Sequence, residues 1–177
     1  MSAPVHDSFG CASAAVAALR EKLPGHIDVA THGGTFSEAE IKSFALKAPA
    51  VRVAALGFDT PVLANSGQID LPVHMTAAVL TVDTAQSQRD QAANAIATAV
   101  ALVIANNRLG LENGWPCEDV KGMNEYSATV QNIGLALWQV TWTQRIRLGT
   151  DLFEAIGKLT AATVTGPDGT QKLGGQA

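Results

Sequence analysis

Apolar residues recur along this chain at two different spacings, and the spacing assigns each segment. From about Ser8 to Lys22, Phe9, Ala12, Val16, Leu19 and Leu23 follow at three and four positions, a stripe along one side of a helix. Asp7 or Ser8 stands where a side chain can accept the free amides of its first turn. Leu23-Pro24-Gly25 ends it, because proline lacks a donor and glycine tolerates left-handed backbone. Ile27 to Thr31 reads as a short strand, and His32-Gly33-Gly34 turns the chain. Ser37-Glu38-Ala39-Glu40 has capping-box spacing and predicts a helix with Ile41, Phe44 and Ala48 inward, ended by Pro49. Val51 to Phe58 follows as a mostly apolar strand. Asp59 to Leu71, with Pro61, Asn65, Ser66 and Gly67 and Pro72 just beyond, reads as an exposed loop or hairpin tip.

Val73 to Asp83 is rich in β-branched residues. Met75, Ala77, Val79 and Thr81 share one face, and His74, Thr76, Ala78, Leu80 and Val82 share the other, so both sides of this strand should be covered. Asp83-Thr84-Ala85-Gln86 offers a cap for a long helix from Thr84 or Ala85 to Asn107, with Ala92, Ile96, Val100, Val103 and Ile104 inward. Arg108 to Pro116 is a loop, and Glu118 to Tyr126 a strand anchored weakly by Val120 and Met123. In Gly134 to Leu148, Trp138, Val140, Trp142 and Ile146 alternate with Gln139, Thr141, Thr143, Arg145 and Arg147, which predicts a long strand with one dry face. Asp151 to Glu154 opens a short helix carrying Leu152, Phe153, Ile156 and Leu159. The order α-β-α-β-β-α-β-β-α, with strands adjacent near the end, predicts a single α+β domain over residues 1–162: a mostly antiparallel sheet with packed helices. Residues 163–177 hold four glycines and scarcely any apolar side chain, and read as a flexible C-terminal tail.

Composition narrows the function. At 177 residues the chain can bury one substantial core. It is 47% hydrophobic and 16% charged, with a mean hydropathy of +0.14, which excludes intrinsic disorder. A net charge of −4 without a Lys/Arg cluster argues against specific nucleic-acid binding. The most apolar stretch, Ala92 to Ala105, is shorter than the ~20 residues a bilayer needs, so no membrane span is expected. Met1 to Gly10 lacks the basic and apolar regions of a secretory signal. Cys11 and Cys117, far apart and outside any CxxC, are read as reduced thiols rather than a disulfide framework.

Catalytic signals are absent from the pattern. His6, His26, His32 and His74 match no zinc spacing, so no metal site is expected. Gly33-Gly34 stands outside any phosphate-binding motif, and there is no GxSxG. No catalytic or cofactor-binding residue is therefore assigned, and no cofactor. The surface signals are of another kind. Arg145 and Arg147 share a strand face, and Arg52 would neighbour them if the strands pair, forming either a patch for an acidic partner or an ordinary solvated face. Trp138 and Trp142 are read as core residues, with an interface anchor as the alternative. Val62, Leu63, Ile69 and Leu71 in the turn-rich segment suit either a plain connection or a partner contact.

Four segments together resemble the Mu-like phage tail terminator, or tail completion, family. They are the helix ending in Leu23-Pro24-Gly25, the strand Ala48-Pro49-Ala50-Val51-Arg52-Val53-Ala54, the strand leading through Asp83 into an alanine-rich helix, and Leu137-Trp138-Gln139-Val140-Thr141-Trp142-Thr143-Gln144. The resemblance covers about residues 8 to 149. It implies an α/β or α+β sandwich of sheet and helices, a subunit of a hexameric ring on the head-proximal end of the tail tube, at the tail–neck junction of the virion, assembled in the host cytoplasm. Such a ring stops tube polymerisation and docks the head–tail connector or neck protein, and genome DNA passes through its lumen. The implied partners are sister subunits, the tube protein and the connector. The family carries no catalytic residues to transfer. Arg52, Val62, Leu63, Ile69, Arg145 and Arg147 remain the expected subunit or tube interface. A head–tail joining or other tail assembly protein is one alternative, and a small cytosolic α+β enzyme another.

Overall fold

The computed structural model describes residues 6–34, 40–41, 43, 47–85, 87–125, 132–153, 162–166 and 169–173. The capping-box helix expected after Ser37 lies largely outside them. Helix α1 (Ser8–Lys22) begins where Asp7 Oδ1 accepts from the Gly10 amide at 2.7 Å. Its buried face is Cys11, Ala12, Ala15, Val16 and Leu19, while Phe9 is exposed. The small residues let the helix approach the sheet closely, and the wide Phe9 ring is left about a quarter-turn outside that contact.

The strands are β1 (Asp28–Thr31), β2 (Ala50–Phe58), β3 (Val62–Leu63), β4 (Ile69–Val82), β5 (Glu118–Asn124) and β6 (Leu135–Leu148). They form one sheet in the order β1-β2-β4-β6-β5, with β3 beside the start of β4. Only β1 and β2 run parallel; every other pair is antiparallel, so the molecule is an α+β fold. The spine is β4 against β6, paired from Ile69↔Leu148 to Val82↔Leu135. Register puts Val51, Val53, Met75, Ala77, Val79, Val140, Trp142 and Ile146 on one face, and these pack with the helices in one cluster. Trp142 is buried; Trp138 is half-buried at the margin of the cluster.

Helix α2 (Arg89–Ile104) starts later than the pattern predicts. Thr84 Oγ1 instead accepts from the Ser87 amide at 3.1 Å, a turn that delays the helix, and Asp83 Oδ1 reaches forward to the Arg89 amide at 2.9 Å. Its fully buried stripe is Ala93, Ala97, Val100 and Ile104. Ala92 and Ile96, expected at the core, flank it. Residues 59–71 are not a plain loop: β3 pairs with Ile69 and Asp70, and β4 begins four residues before Val73. Pro72 obscures this in the sequence, because proline lacks a donor; in the strand its carbonyl still accepts from the Asp59 amide at 2.9 Å. Met123, expected as an anchor, is exposed on the edge strand β5.

The segment 163–177, expected as a flexible tail, contains most of a strand pair. β7 (Ala162–Gly166) and β8 (Gly169–Leu173) pair antiparallel, from Ala162↔Leu173 to Gly166↔Gly169, as a two-stranded sheet of their own. Two of the four glycines that suggested a tail, Gly166 and Gly169, are paired with each other in this hairpin.

Candidate functional site

The three arginines do not form one patch. Arg52 sits opposite Ala78 on β4, whereas Arg145 sits opposite Pro72, six positions away along the strand. At the rise of a β-strand that is about 20 Å. Arg52 is buried, and its guanidinium holds the Asp28 carboxylate and, at 2.8 Å, the Asp28 carbonyl. It ties β2 to β1. The hydrogen bond from Arg52 holds the Asp28 carboxyl below the usual carboxylate range.

Arg147 forms a bidentate pair with Asp70, Nε to Oδ1 at 2.7 Å and Nη2 to Oδ2 at 2.9 Å. Its guanidinium stacks over the Trp115 ring, 4.6 Å from the centroid. The paired hydrogen bonds lower the Asp70 pKa and raise that of Arg147. Arg145 reaches Glu118 more loosely, at 3.4 Å. Both side chains thus already have carboxylate partners within the chain.

The loop from Leu109 to Cys117 is fastened by Gln144, which sequence reasoning passed over. Gln144 is fully buried on the apolar face of β6; its Nε2 donates to the Trp115 carbonyl at 2.6 Å and its Oε1 accepts from Cys117 Sγ at 2.9 Å. A polar residue on the Trp142–Ile146 face was the available signal. Burial pushes the thiols of Cys11 and Cys117 up to about 11 and about 12, which keeps both protonated at neutral pH.

Val62, Leu63 and Ile69 lie where the distal ends of β2, β3 and β4 make an arm. Leu56 to Leu63 are exposed without interruption. Four large apolar side chains stand among them: Leu56 at 46% exposure, Phe58 at 61%, Val62 at 60% and Leu63 at 75%. Ile69 is half-buried beneath Leu63, its partner across the pair. A bulge between Ala55 and Gly57 turns Leu56 outward. The tip is closed by Ala64 donating to the Gln68 carbonyl at 2.8 Å and by Gly67 at φ +80°. The left-handed φ favours glycine there, and a Cβ would stand 2.7 Å from Leu152 Cδ1, so a larger residue would also displace that side chain. Leu152 and Phe153 beside this tip are exposed as well.

At the opposite end of β4, an apolar groove of about 530 Å³ runs between the end of α1 and the first half of α2, lined by Leu23, Ile27, Val82, Ala92, Ile96 and Ala99 among others. The histidines serve local structure. His32 Nδ1 lies 2.8 Å from the Gly34 carbonyl, and His74 Nε2 lies 2.9 Å from Asp59 Oδ1. Among the described residues no three His, Cys, Asp or Glu side chains are grouped to hold a metal ion. No helix among them is long and apolar enough to cross a membrane. No protein-family model matches the chain, and no curated protein matches it.

Proposed function

We propose that this protein is a phage tail terminator. It forms a hexameric ring on the head-proximal end of the tail tube, stops tube growth and presents a docking surface to the connector or neck protein. It acts by shape and surface, not by catalysis. The observation that carries this reading is the arm: eight consecutive exposed residues with four large apolar side chains, at the far end of the sheet from the groove. Contiguous apolar exposure of this kind is characteristic of surfaces that meet another protein. A ring of identical subunits needs two different contact surfaces on each copy, because a heterologous contact closes by rotation. The arm is suited to be one of the two. A net charge of −4 suits a lumen through which a polyanion slides without adhering.

The test is a tube-growth assay. Tube protein is polymerised with and without this chain, and the products are viewed by electron microscopy. The expected result is ring density at one tube end only, with elongation arrested. Binding along the tube walls, or unchanged tube lengths, overturns the proposal.

A further inference from the structure

Several stretches of the main sheet have no strand beside them among the described residues, among them the outer sides of β1, β3 and β5 and residues 54–58 of β2 beyond the reach of β1. They differ in chemistry. Strand β1 is only four residues long and begins with Asp28. Strand β5 carries Glu118, Asp119 and Lys121, the charged side chains that discourage edge pairing. Residues 54–58, Ala-Ala-Leu-Gly-Phe, carry no charge at all and present Leu56 and Phe58 to solvent. The last hydrogen bond on that side is from the His32 amide to the Val53 carbonyl, at 2.7 Å. Beyond it runs an unguarded β edge, with main-chain donors and acceptors and apolar side chains together.

The hairpin β7–β8 has the complementary need. It forms a two-stranded sheet with no third strand among the described residues. Two strands alone are marginal in water and gain most from a further strand. Two-stranded ribbons also twist more strongly than wider sheets. The bulge between Ala55 and Gly57 raises the local twist of β2, so its edge matches a ribbon better than it would match a flat strand. Among the described residues no strand pairing joins the hairpin to the main sheet.

We propose that residues 54–58 of β2 are completed by the β7–β8 hairpin of a second copy of this chain, with main-chain pairing supplying the joint and Leu56 and Phe58 closing over it. The area is of the right order. The four apolar side chains of the arm expose on the order of 400 Å², about half of the ~800 Å² that one partner buries in a standard interface; the strand pairing adds the rest. Because each copy gives a hairpin and receives one, the contact is heterologous and propagates until it closes. The inference rests on the ring reading only in taking the occupant to be a sister copy.

The experiment needs no tube protein, so its outcome is separate from that of the tube-growth assay. Two full-length variants are made. Phe58→Lys places a charge on the receiving edge, and Thr165→Pro combined with Thr170→Pro removes an outward-facing main-chain donor from each strand of the hairpin while leaving the bonded pairs 164–171 and 166–169 in place. Both keep the wild-type melting temperature, which thermal denaturation checks. Sedimentation velocity up to about 100 μM, a concentration at which micromolar contacts populate, shows wild-type oligomers and each variant monomeric. An equimolar mixture of the two forms a 1:1 heterodimer and nothing larger, since only one joint in each pair is intact. Hydrogen exchange at residues 54–58 slows as wild-type concentration rises. A monomeric wild type, oligomers that survive either substitution, or a mixture that stays monomeric overturns the proposal. Should either variant lose its fold, Leu56→Lys and the pair Thr163→Pro with Lys172→Pro test the same two edges under the same outcomes.

Discussion

Gln144 is a polar side chain on the dry face of the sheet. It is fully buried, and both ends of its amide are used, one by the Trp115 carbonyl and one by the Cys117 thiol. Gln144→Leu should cost on the order of 1–3 kcal/mol, because the Trp115 carbonyl loses its donor inside the protein; urea unfolding of the two proteins measures it, and an unchanged midpoint would mean water replaces the bond. Part of this was legible. The alternation of β6 places residue 144 on the same side as Trp142 and Ile146, so a polar residue there pointed to a buried hydrogen bond. Its partners lie 27 and 29 positions earlier, and no local spacing rule reaches across such a separation. Trp142 shows the opposite case. Its position in the core followed from the pattern, yet its indole Nε1 finds no acceptor among the described residues, which no pattern could reveal.

At the scale of elements, alternation and helical spacing identified what was regular and failed where a turn or a register decided. Strand β6 was found within one residue at its start because apolar and polar residues alternate strictly from Trp138 to Thr143 and the β-rich run extends on both sides. The start of α2 was misplaced because Thr84 closes a turn that competes with the cap. The arginines were wrongly brought together because register, which sequence does not state, sets Arg52 and Arg145 six positions apart along β4. The pairing that does occur makes a prediction about acid. Asp70 titrates below its ordinary value of 3.8 because Arg147 donates to its carboxylate. Its stabilising contribution is therefore complete above that ordinary value and is lost as pH falls through the lower, folded value. Asp70→Asn should weaken the protein at pH 7 and flatten the fall of its urea midpoint below about pH 4, where unpaired carboxylates protonate. Parallel curves for the two proteins through that range would show that the pair does not hold the ends of β4 and β6 together.

For the whole molecule, the fold class followed from the order of elements, since strands joined by short connections pair antiparallel. The arm was visible only as a turn-rich segment with Val62, Leu63 and Ile69 in it; its exposure depends on which strands stop short, and that is a property of the assembled sheet. Replacing both Val62 and Leu63 by lysine should leave the melting temperature within a degree or two, because neither is buried. On the terminator reading the same change should abolish the arrest of tube growth. A protein that melts as before and still arrests growth would assign the arm to some other task. The long β4–β6 pair has a mechanical consequence. Its hydrogen bonds lie across the strands from Ile69 to Val82, and it joins the bare end of the sheet to the end covered by helices. A pull applied between those two ends loads the whole row of bonds in shear, all at once, instead of unzipping them one by one. The molecule is stiff along that axis, as a spar is stiff along its length.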